Sequence, residues 1–482
     1  MRLPRIRVRE LMLLVACCAF VCWEAIVLRD SDPIAGATRR LRSGDVEVRR
    51  AAASELGVRL SDALPAIPAL VAATRDPDAE VRRAAAESIG VVTAQGPAGG
   101  PGEAAAVRAL MAVLEDPDPR LRVAASTALR RIASPIAAPA LAAALRDRNP
   151  SVRGIAASAL GGMGQASRDQ APALLAAIAA ESDPRDREGL LITLPRLDPD
   201  PAVALPPLTS RLARDGDERA RAATARALGD VLDARLRAGE VPPATHPALA
   251  ALRAAISDRS PLVRLQAVAS LGRIRASAPD PLAPVLDEAL LRALSHRRAD
   301  VRAAAASLYS RNWITHVDVM PISDEIVRAL VKGLRDPEAD VRHHAAWALM
   351  QTARARHPLG SKHHDAFVRV LPDLRAALRD SDLTVRDAAF HALTALGRGA
   401  PEGDRDFRAA ARFAAKEFVA LLRDPREDVR QIAATSLISI DPRDADLVLD
   451  ALSSAAEHDR TEVVRNSAAF AVQRIKEVRA SK

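Results

Sequence analysis

The side chains best suited to chemistry in this sequence are five histidines that fall within 22 residues: His343, His344, His357, His363 and His364. Imidazole nitrogens are common metal ligands, so a local metal site is one hypothesis for this group. His343 and His344 are adjacent in a helical pattern, where neighbouring side chains diverge by about 100°. The other three fall in a polar loop. We therefore favour solvated surface histidines and expect neither a bound metal nor a cofactor.

No other arrangement of nucleophiles, acids or metal ligands is typical of a catalytic site. Cys17, Cys18 and Cys22 all lie in an apolar N-terminal segment, which leaves the rest of the chain without disulfides or cysteine ligands. The sequence contains no H-E-x-x-H, G-x-S-x-G, Walker A or paired C-x-x-C motif. We expect no catalytic residues and predict that the protein is not an enzyme.

Most of the chain is an internal repeat, in which an aspartate is followed six residues later by an arginine and then by an alanine-rich helix. The repeat arginines are Arg49, Arg82, Arg122, Arg153, Arg221, Arg264, Arg302, Arg342, Arg386, Arg430 and Arg465. Their mean spacing is about 38 residues, if one degenerate unit between Arg153 and Arg221 is counted, which suits a helix-pair solenoid. A further apolar helical stretch precedes each aspartate, so each unit is predicted to be two helices joined by a short turn.

The second helix of each unit carries a regular apolar stripe. Relative to the repeat arginine, valine is frequent one residue before, alanine three residues after and an aliphatic residue seven residues after. The spacing i, i+4, i+8 places these positions on one side of a helix, and the small alanine permits close helix packing. The sequence therefore predicts an all-α fold, an α-solenoid of about 11 to 12 helical hairpins.

The recurrent aspartates and arginines are predicted to bond between successive units as a structural ladder rather than to bind a partner. The predicted ladder residues are Asp76, Arg82, Asp116, Arg122, Asp147, Arg153, Asp258, Arg264, Asp336, Arg342, Asp380, Arg386, Asp424 and Arg430.

These units resemble HEAT repeats over residues 45–480, in particular the short D-x(5)-R-x(2)-A-A-x-A-L-G variety also seen in phycobilisome lyase subunits. The resemblance implies a right-handed superhelix of antiparallel helix pairs with a concave surface that binds protein partners. A bilin lyase activity does not transfer, because this general repeat also occurs in proteins unrelated to pigments. HEAT-repeat di-iron hydroxylases use His-Glu pairs, and this sequence contains no His-Glu dipeptide.

Three short segments precede the repeats: a basic tail at 1–10, a transmembrane anchor at 11–28 and a linker at 29–42. Residues 11–28 carry no charge except Glu24, and as a helix they would span about 27 Å, just enough to cross a bilayer. A cleaved signal peptide and a lipoprotein signal at Cys17 are the open alternatives. The flanking arginines predict a single-pass membrane protein with a cytoplasmic N terminus, the side occupied by the solenoid being undetermined.

The solenoid is expected to occupy 43–482 with one distorted unit near 183–214. That stretch contains six prolines, and Gly189 stands where the repeat arginine is expected. Proline interrupts helices, so this unit is predicted to be degenerate.

The distribution of charge argues against a nucleic-acid partner. The formal net charge is +8, and residues 1–42 supply half of it with eight arginines against four acidic residues. The repeats are therefore nearly neutral, without the basic stripe that phosphate binding requires.

Trp347 is the candidate contact for a protein partner. It lies five residues after its repeat arginine, a register that is mostly polar in the other units. Together with His343, and with Ser307 and His391 from adjacent units, an exposed tryptophan there would form an aromatic patch of the kind that anchors partners. The alternative is that Trp347 fills a local gap in the packing.

The function predicted from the sequence is a non-catalytic, membrane-tethered scaffold that binds protein partners on a solenoid surface. Two alternatives remain open: a HEAT-type nucleic-acid-processing protein and a lyase-like accessory subunit. The sequence does not identify the partner.

Overall fold

The turn between the two helices of a unit determines where the second helix begins. Asp76 Oδ1 accepts the N–H of Asp78 at 2.9 Å, and Asp78 caps the next helix by accepting the N–H of Val81 at 2.9 Å. Other helices begin with a proline at the first or second position, for example Pro119 and Pro150. Proline is tolerated there because the first N–H groups of a helix have no partner within it.

The computed structural model describes residues 32–100, 102–279, 281–310, 323–355, 364–399 and 405–480. They divide into two compact units, the first ending at Pro207 and the second beginning at Leu208. The helices of the first unit are α1 (Pro33–Arg40), α2 (Val46–Val58), α3 (Ile67–Ala73), α4 (Ala79–Ala94), α5 (Glu103–Val113), α6 (Pro119–Ile132), α7 (Ala138–Ala144), α8 (Pro150–Met163), α9 (Ala171–Ala180) and α10 (Pro184–Thr193). Short 3-10 helices lie at Leu60–Ala66, Pro135–Ala137, Gly164–Gln170 and Leu194–Leu197.

The point of division falls within α11 (Pro201–Arg214). The helices of the second unit are α12 (Glu218–Arg237), α13 (Pro247–Ala255), α14 (Pro261–Ser277), α15 (Ala283–Leu294), α16 (Ala299–Ser310), α17 (Asp324–Gly333), α18 (Ala339–Ala355), α19 (His364–Ala377), α20 (Leu383–Gly399), α21 (Arg405–Leu421), α22 (Glu427–Ser436), α23 (Asp446–His458) and α24 (Glu462–Ala480). Short 3-10 helices lie at Leu437–Ser439 and Pro442–Asp444.

The second helices of successive repeats form one packed layer in each unit. In the first unit α2, α4, α6 and α8 contact one another in succession, and in the second unit α12, α14, α16, α18 and α20 do the same. The apolar stripe lies in this interface: Val81, Ala85 and Ile89 of α4 are fully buried. The predicted all-helical solenoid is therefore confirmed.

The proline-rich repeat near 183–214 keeps the turn geometry of its neighbours. The prediction that Gly189 stands at the position of the repeat arginine is wrong. Arg187 donates to the backbone oxygen of Glu181, six residues earlier, at 2.7 Å. The side chain of Glu181 accepts from Arg153 of the preceding repeat. Glu181 therefore replaces the expected aspartate, and the repeat arginine lies two residues before Gly189.

The prediction of a single-pass membrane protein is wrong. Among the residues that the structure describes, no helix is both long and apolar enough to cross a bilayer. The 20-residue α12, for example, carries arginine, aspartate and glutamate along its length. The anchor predicted at 11–28 lies outside the described residues.

Candidate functional site

The candidate site is an aromatic surface on two neighbouring helices of the second unit, α18 and α20. Trp347 of α18 is half-buried, and its ring centre lies 5.8 Å from that of His391 on α20, with the planes tilted by 32°. His343, one turn earlier on α18, lies 6.2 Å from Trp347 in an edge-on arrangement. Three of the four predicted contact residues are thus brought together.

Buried rings and polar bonds hold this surface in place. Phe390, which is fully buried, stacks on Phe418 of α21 with ring centres 4.2 Å apart. The neighbouring His391 places Nε2 3.4 Å from Asp387 Oδ1, and the Asp387 carboxylate also accepts from the hydroxyl of Ser436. The Trp347 ring therefore packs against His391, which directly follows a fully buried phenylalanine and whose imidazole lies close to a carboxylate.

Ser307 does not belong to this exposed surface, contrary to the prediction. It is only 5% exposed, and its hydroxyl donates to the backbone oxygen of Ala304 at 2.8 Å. The register five residues after the repeat arginine is partly exposed at Trp347 but buried at Ser307. We therefore exclude Ser307 from the candidate contact and define the Trp347 surface as Trp347, His343 and His391.

The histidine-rich stretch contains no described metal site. His343 Nδ1 lies 3.1 Å from the backbone oxygen of Thr384, while His357 and His363 lie outside the described residues. In the described part of the chain, no group of three histidine, cysteine, aspartate or glutamate side chains could hold a metal ion.

The repeat arginines make a shared set of bonds along one edge of each unit. Arg122 is representative: Nε and Nη2 donate to the two carboxylate oxygens of Asp147 in the next repeat, at 2.6 and 3.0 Å. Its Nη1 donates to the backbone oxygens of Asp116 and Pro117 in its own turn, at 2.9 and 3.0 Å. One guanidinium thus ties two successive repeats together.

Ion pairs of this kind recur in both units. The pairs are Arg49–Asp76, Arg82–Asp116, Arg122–Asp147, Arg153–Glu181, Arg221–Asp258, Arg302–Asp336, Arg342–Asp380 and Arg430–Asp459. The sequence analysis did not predict that Nη1 of each arginine donates to the backbone oxygens of the turn. The constant six-residue interval between aspartate and arginine reflects this bond, because Nη1 donates to the backbone oxygen six residues earlier.

Two repeat arginines depart from this arrangement. The first is Arg264. The aspartate that it would bind in the next repeat, six residues before Arg302, is replaced by His296, and Arg264 pairs instead with Asp300. No ion pair joins Arg386 to Asp424 within the described residues, although both were predicted members of the ladder. At that interface the hydroxyl of Ser436 on α22 bonds to Asp387 on α20, one residue beyond Arg386.

Arginine partners favour the charged form of Asp147, Asp76 and Asp459. The hydrogen bond from Arg122 lowers the pKa of Asp147, and that from Arg49 lowers the pKa of Asp76. The pKa of Asp459 falls from its usual 3.8 to about 2, chiefly because Arg430 donates to it, with a further contribution from the N–H of Thr461. These groups stay ionised across the physiological range and stabilise the fold rather than exchange protons.

Comparison with known families agrees with the repeat geometry. A profile of HEAT repeats matches residues 34–112, 107–195 and 327–412, which together make up just over half of the chain. The chain belongs to the HEAT-repeat family. The phycobilisome-lyase subtype is not distinguished by this match. No curated protein sequence matches the chain.

Solved structures of the karyopherin Kap121p are similar in fold. The structure bound to the extreme C-terminus of the protein phosphatase Cdc14p is 15% identical, with a TM-score of 0.66, and the match covers 100% of this HEAT-repeat chain and 55% of the karyopherin. The structures bound to Nup53p and to Pho4p are 14% and 15% identical, each with a TM-score of 0.65. The chain thus spans about half the length of the karyopherins that it matches, and the likeness shows the fold alone.

Proposed function

We propose that this HEAT-repeat protein is a non-catalytic scaffold that binds protein partners, with the Trp347 surface as one contact. The observation that carries the proposal is a half-buried tryptophan in a mostly polar register, packed against His391 and His343. Tryptophan is enriched among the residues that dominate binding energy, because its large ring gains most when a partner removes it from water. The protein partners named in the Kap121p structures are consistent with this use of the fold.

The arginine–aspartate pairs support a scaffold because they connect successive repeats through nearly buried bonds. A surface that is already ordered loses little conformational entropy when a partner binds. Side chains on successive helices, such as Trp347 and His391, are thereby held at fixed separations. We expect binding to be distributed over several repeats, with Trp347 contributing more than its neighbours.

Site-specific photocrosslinking tests this proposal. A photoreactive amino acid is placed at position 347 in the full chain, and a matched control carries it at exposed Lys332 on α17. A protein captured from position 347 but not from 332 is purified, and its affinity is measured for the unmodified chain, Trp347→Ala and Lys332→Ala. We expect Trp347→Ala to weaken binding by about tenfold or more. Equal capture at both positions, or an affinity unaffected by Trp347→Ala, would refute the contact.

A further inference from the structure

An apolar stripe is exposed on α14 of the second unit. Leu262 and Leu265 are 46% and 39% exposed, and Ala269, one turn further on, is partly accessible. The spacing i, i+3, i+7 places these side chains on one face of the helix. Single exposed leucines are ordinary on a protein surface, whereas two on consecutive turns of one face provide apolar area for a partner to cover.

Leucine is unusual at these positions of the repeat. Leu262 lies two residues before the repeat arginine Arg264, and Leu265 lies one residue after it. Among the eleven repeats aligned on their arginine, this is the one with a large aliphatic side chain at both positions. The neighbouring repeats place there Arg219, Ala222, Asp300, Ala303, Asp340 and His343. The stripe is therefore a local departure from the repeat pattern.

The turns and second helices around the stripe carry an excess of positive charge. Residues 258–277 and 295–310 contain seven arginines and two aspartates. The ion pairs made by this set are Arg264–Asp300, Arg273–Asp230, Arg275–Asp287, Arg302–Asp336 and Arg221–Asp258. Three arginines remain, Arg259, Arg297 and Arg298, and each is exposed and forms no ion pair with any residue that the structure describes.

Aspartate is missing from this part of the chain at positions where it recurs in other repeats. Six residues before the repeat arginine, His296 replaces the ladder aspartate. Four residues before it, Asp78 and Asp217 cap their helices, whereas the two repeats beside the stripe have Ser260 and Arg298. Each replacement removes a carboxylate, and together they account for the positive excess.

Contacts between α14 and the next repeat bring the free arginines of the neighbouring turn close to the stripe. His296 Nε2, in the turn before α16, lies 3.3 Å from the hydroxyl of Ser257, in the turn before α14. Arg264 of α14 pairs with Asp300 at the start of α16. Burial lowers the pKa of His296, and the guanidinium groups of Arg297 and Arg264 lower it further. The lowered pKa reflects the same positive surroundings.

The first turn of α14 adds to the positive potential. Ser260 stands at the capping position and is 4% exposed, yet its hydroxyl has no hydrogen-bond partner among the described residues and does not cap the helix. The N–H groups in the first turn of a helix carry partial positive charge, which an acidic cap would otherwise meet. An anion close to this helix start is therefore favoured.

The exposed carboxylates nearest in the repeat order do not neutralise these arginines by direct contact. Glu218, at the start of α12, is followed by exposed Arg219. Glu338 and Asp340 begin the following repeat, and neither forms an ion pair with the three free arginines in the described part of the chain. Positive charge around the stripe thus remains available to a ligand.

We propose that this surface, defined as Leu262, Leu265, Arg259, Arg297 and Arg298 and called the Leu262 surface, binds an acidic segment of a partner protein that also carries apolar side chains. The apolar side chains cover the two leucines, and the carboxylates pair with the arginine before α14 and with the two arginines of the neighbouring turn. The stripe contains no aromatic side chain on which a base could stack, which disfavours a nucleic acid. The inference rests on the proposed scaffold function and names a partner class at a place separate from the Trp347 surface.

The test uses a fluorescein-labelled peptide, Ser-Asp-Glu-Leu-Glu-Leu-Asp-Asp-Ser, and a matched peptide with lysine in place of every acidic residue. Fluorescence anisotropy measures the affinity of each peptide for the full chain. We expect the acidic peptide to bind saturably and the lysine peptide to bind at least tenfold more weakly. Arg297→Glu with Arg298→Glu should weaken the acidic peptide by about tenfold or more, and Leu265→Ser should weaken it by about fivefold.

Matched control variants separate the Leu262 surface from general charge and apolar effects. Arg130→Glu with Arg131→Glu reverses an adjacent pair of exposed arginines in the first unit, and Leu447→Ser removes a leucine that is 40% exposed on α23. Both controls should leave the affinity of the acidic peptide nearly unchanged.

The proposal is overturned if the acidic peptide does not bind saturably, if the two peptides bind equally, or if the two double variants lose affinity equally. Tighter binding of a fluorescent single-stranded oligonucleotide, lost in Arg297→Glu with Arg298→Glu, would assign the surface to nucleic acid instead. Capture at position 347 does not depend on α14, so failure here leaves the scaffold proposal standing, and the reverse also holds.

Discussion

Replacing Arg430 by alanine is expected to uncouple the last described repeat of the second unit from the one before it. Arg430 Nε and Nη2 donate to the two oxygens of Asp459 at 2.8 and 3.1 Å. Its Nη1 donates to the backbone oxygens of Asp424 and Pro425 at 3.0 and 3.2 Å. The substitution removes all four bonds, and with them the only ion pair from α22 to the turn before α24 in the described residues.

The magnitude follows from burial. The Arg430 and Asp459 side chains are 4% and 7% exposed, so the substitution leaves a nearly buried carboxylate without its cation, at a cost of about 3 to 5 kcal/mol. Asp459 still accepts from the N–H and hydroxyl of Thr461 at 3.0 and 3.1 Å, which favours the lower end of that range. A cost of about 3 kcal/mol corresponds to about 150-fold in an opening equilibrium.

Hydrogen exchange read by mass spectrometry is the appropriate assay, because a repeat array opens locally and a single melting temperature does not report one interface. We expect amides of α24 to exchange about 100-fold faster in Arg430→Ala. The control is Arg426→Ala, since Arg426 makes an equally bidentate pair with Asp428 at 3.2 and 2.8 Å. Both of its side chains are more than half exposed, so its removal should leave α24 unchanged.

The reasoning fails if α24 exchanges at the same rate in Arg430→Ala and Arg426→Ala. A double variant, Arg430→Met with Asp459→Leu, provides a second test. It replaces both charges with apolar side chains of similar size, so no buried charge is left alone and much of the lost protection should return. If the double variant is less protected than Arg430→Ala alone, the loss comes from packing and not from the unpaired carboxylate.

Three further predictions concern Asp459, Gly90 and Phe390. The pKa of Asp459 falls from 3.8 to about 2 on folding, so the unfolded segment binds the proton first as pH drops. The difference in α24 amide protection between the unmodified chain and Asp459→Asn, measured by hydrogen exchange and corrected for the intrinsic exchange rate at each pH, should be complete above about pH 5 and vanish towards pH 2. Gly90→Ala should lower the free energy of unfolding in urea by about 1 to 3 kcal/mol, because its Cβ would lie 2.5 Å from the Cβ of Ala128. The control Gly162→Ala, with nothing within 4 Å of its Cβ, should leave that free energy unchanged or raise it slightly. Phe390→Ala should cost about 3 to 5 kcal/mol, because it leaves a cavity beside Phe418, and equal urea midpoints for Phe390→Ala and the unmodified chain would contradict this.

Much of the candidate site was readable from the repeat register, but its exposure was not. The register placed Trp347, His343 and His391 on neighbouring helices, and the structure places the ring centres of His343 and His391 6.2 and 5.8 Å from that of Trp347. Ser307 shares the register of Trp347 yet is 5% exposed. Exposure depends on which side chains surround a position, and these come from other helices, so periodicity within one helix cannot predict it.

The sequence by itself determined the fold class and the unit of the architecture. The spacing of valine, alanine and leucine fixes an apolar face on each helix, and the aspartate–arginine interval fixes the turn, because both depend on residues within one hairpin. The tertiary structure alone decided which carboxylate each arginine binds. Arg153 binds Glu181, and Arg264 binds Asp300 instead of a residue at position 296. Arg386 does not pair with Asp424. It also decided that Gly57 and Gly90 lie where α2, α4 and α6 approach one another most closely, since a Cβ at either position would clash with the next helix. These outcomes depend on distances between helices far apart in the sequence, and those distances are set by the packing of whole repeats.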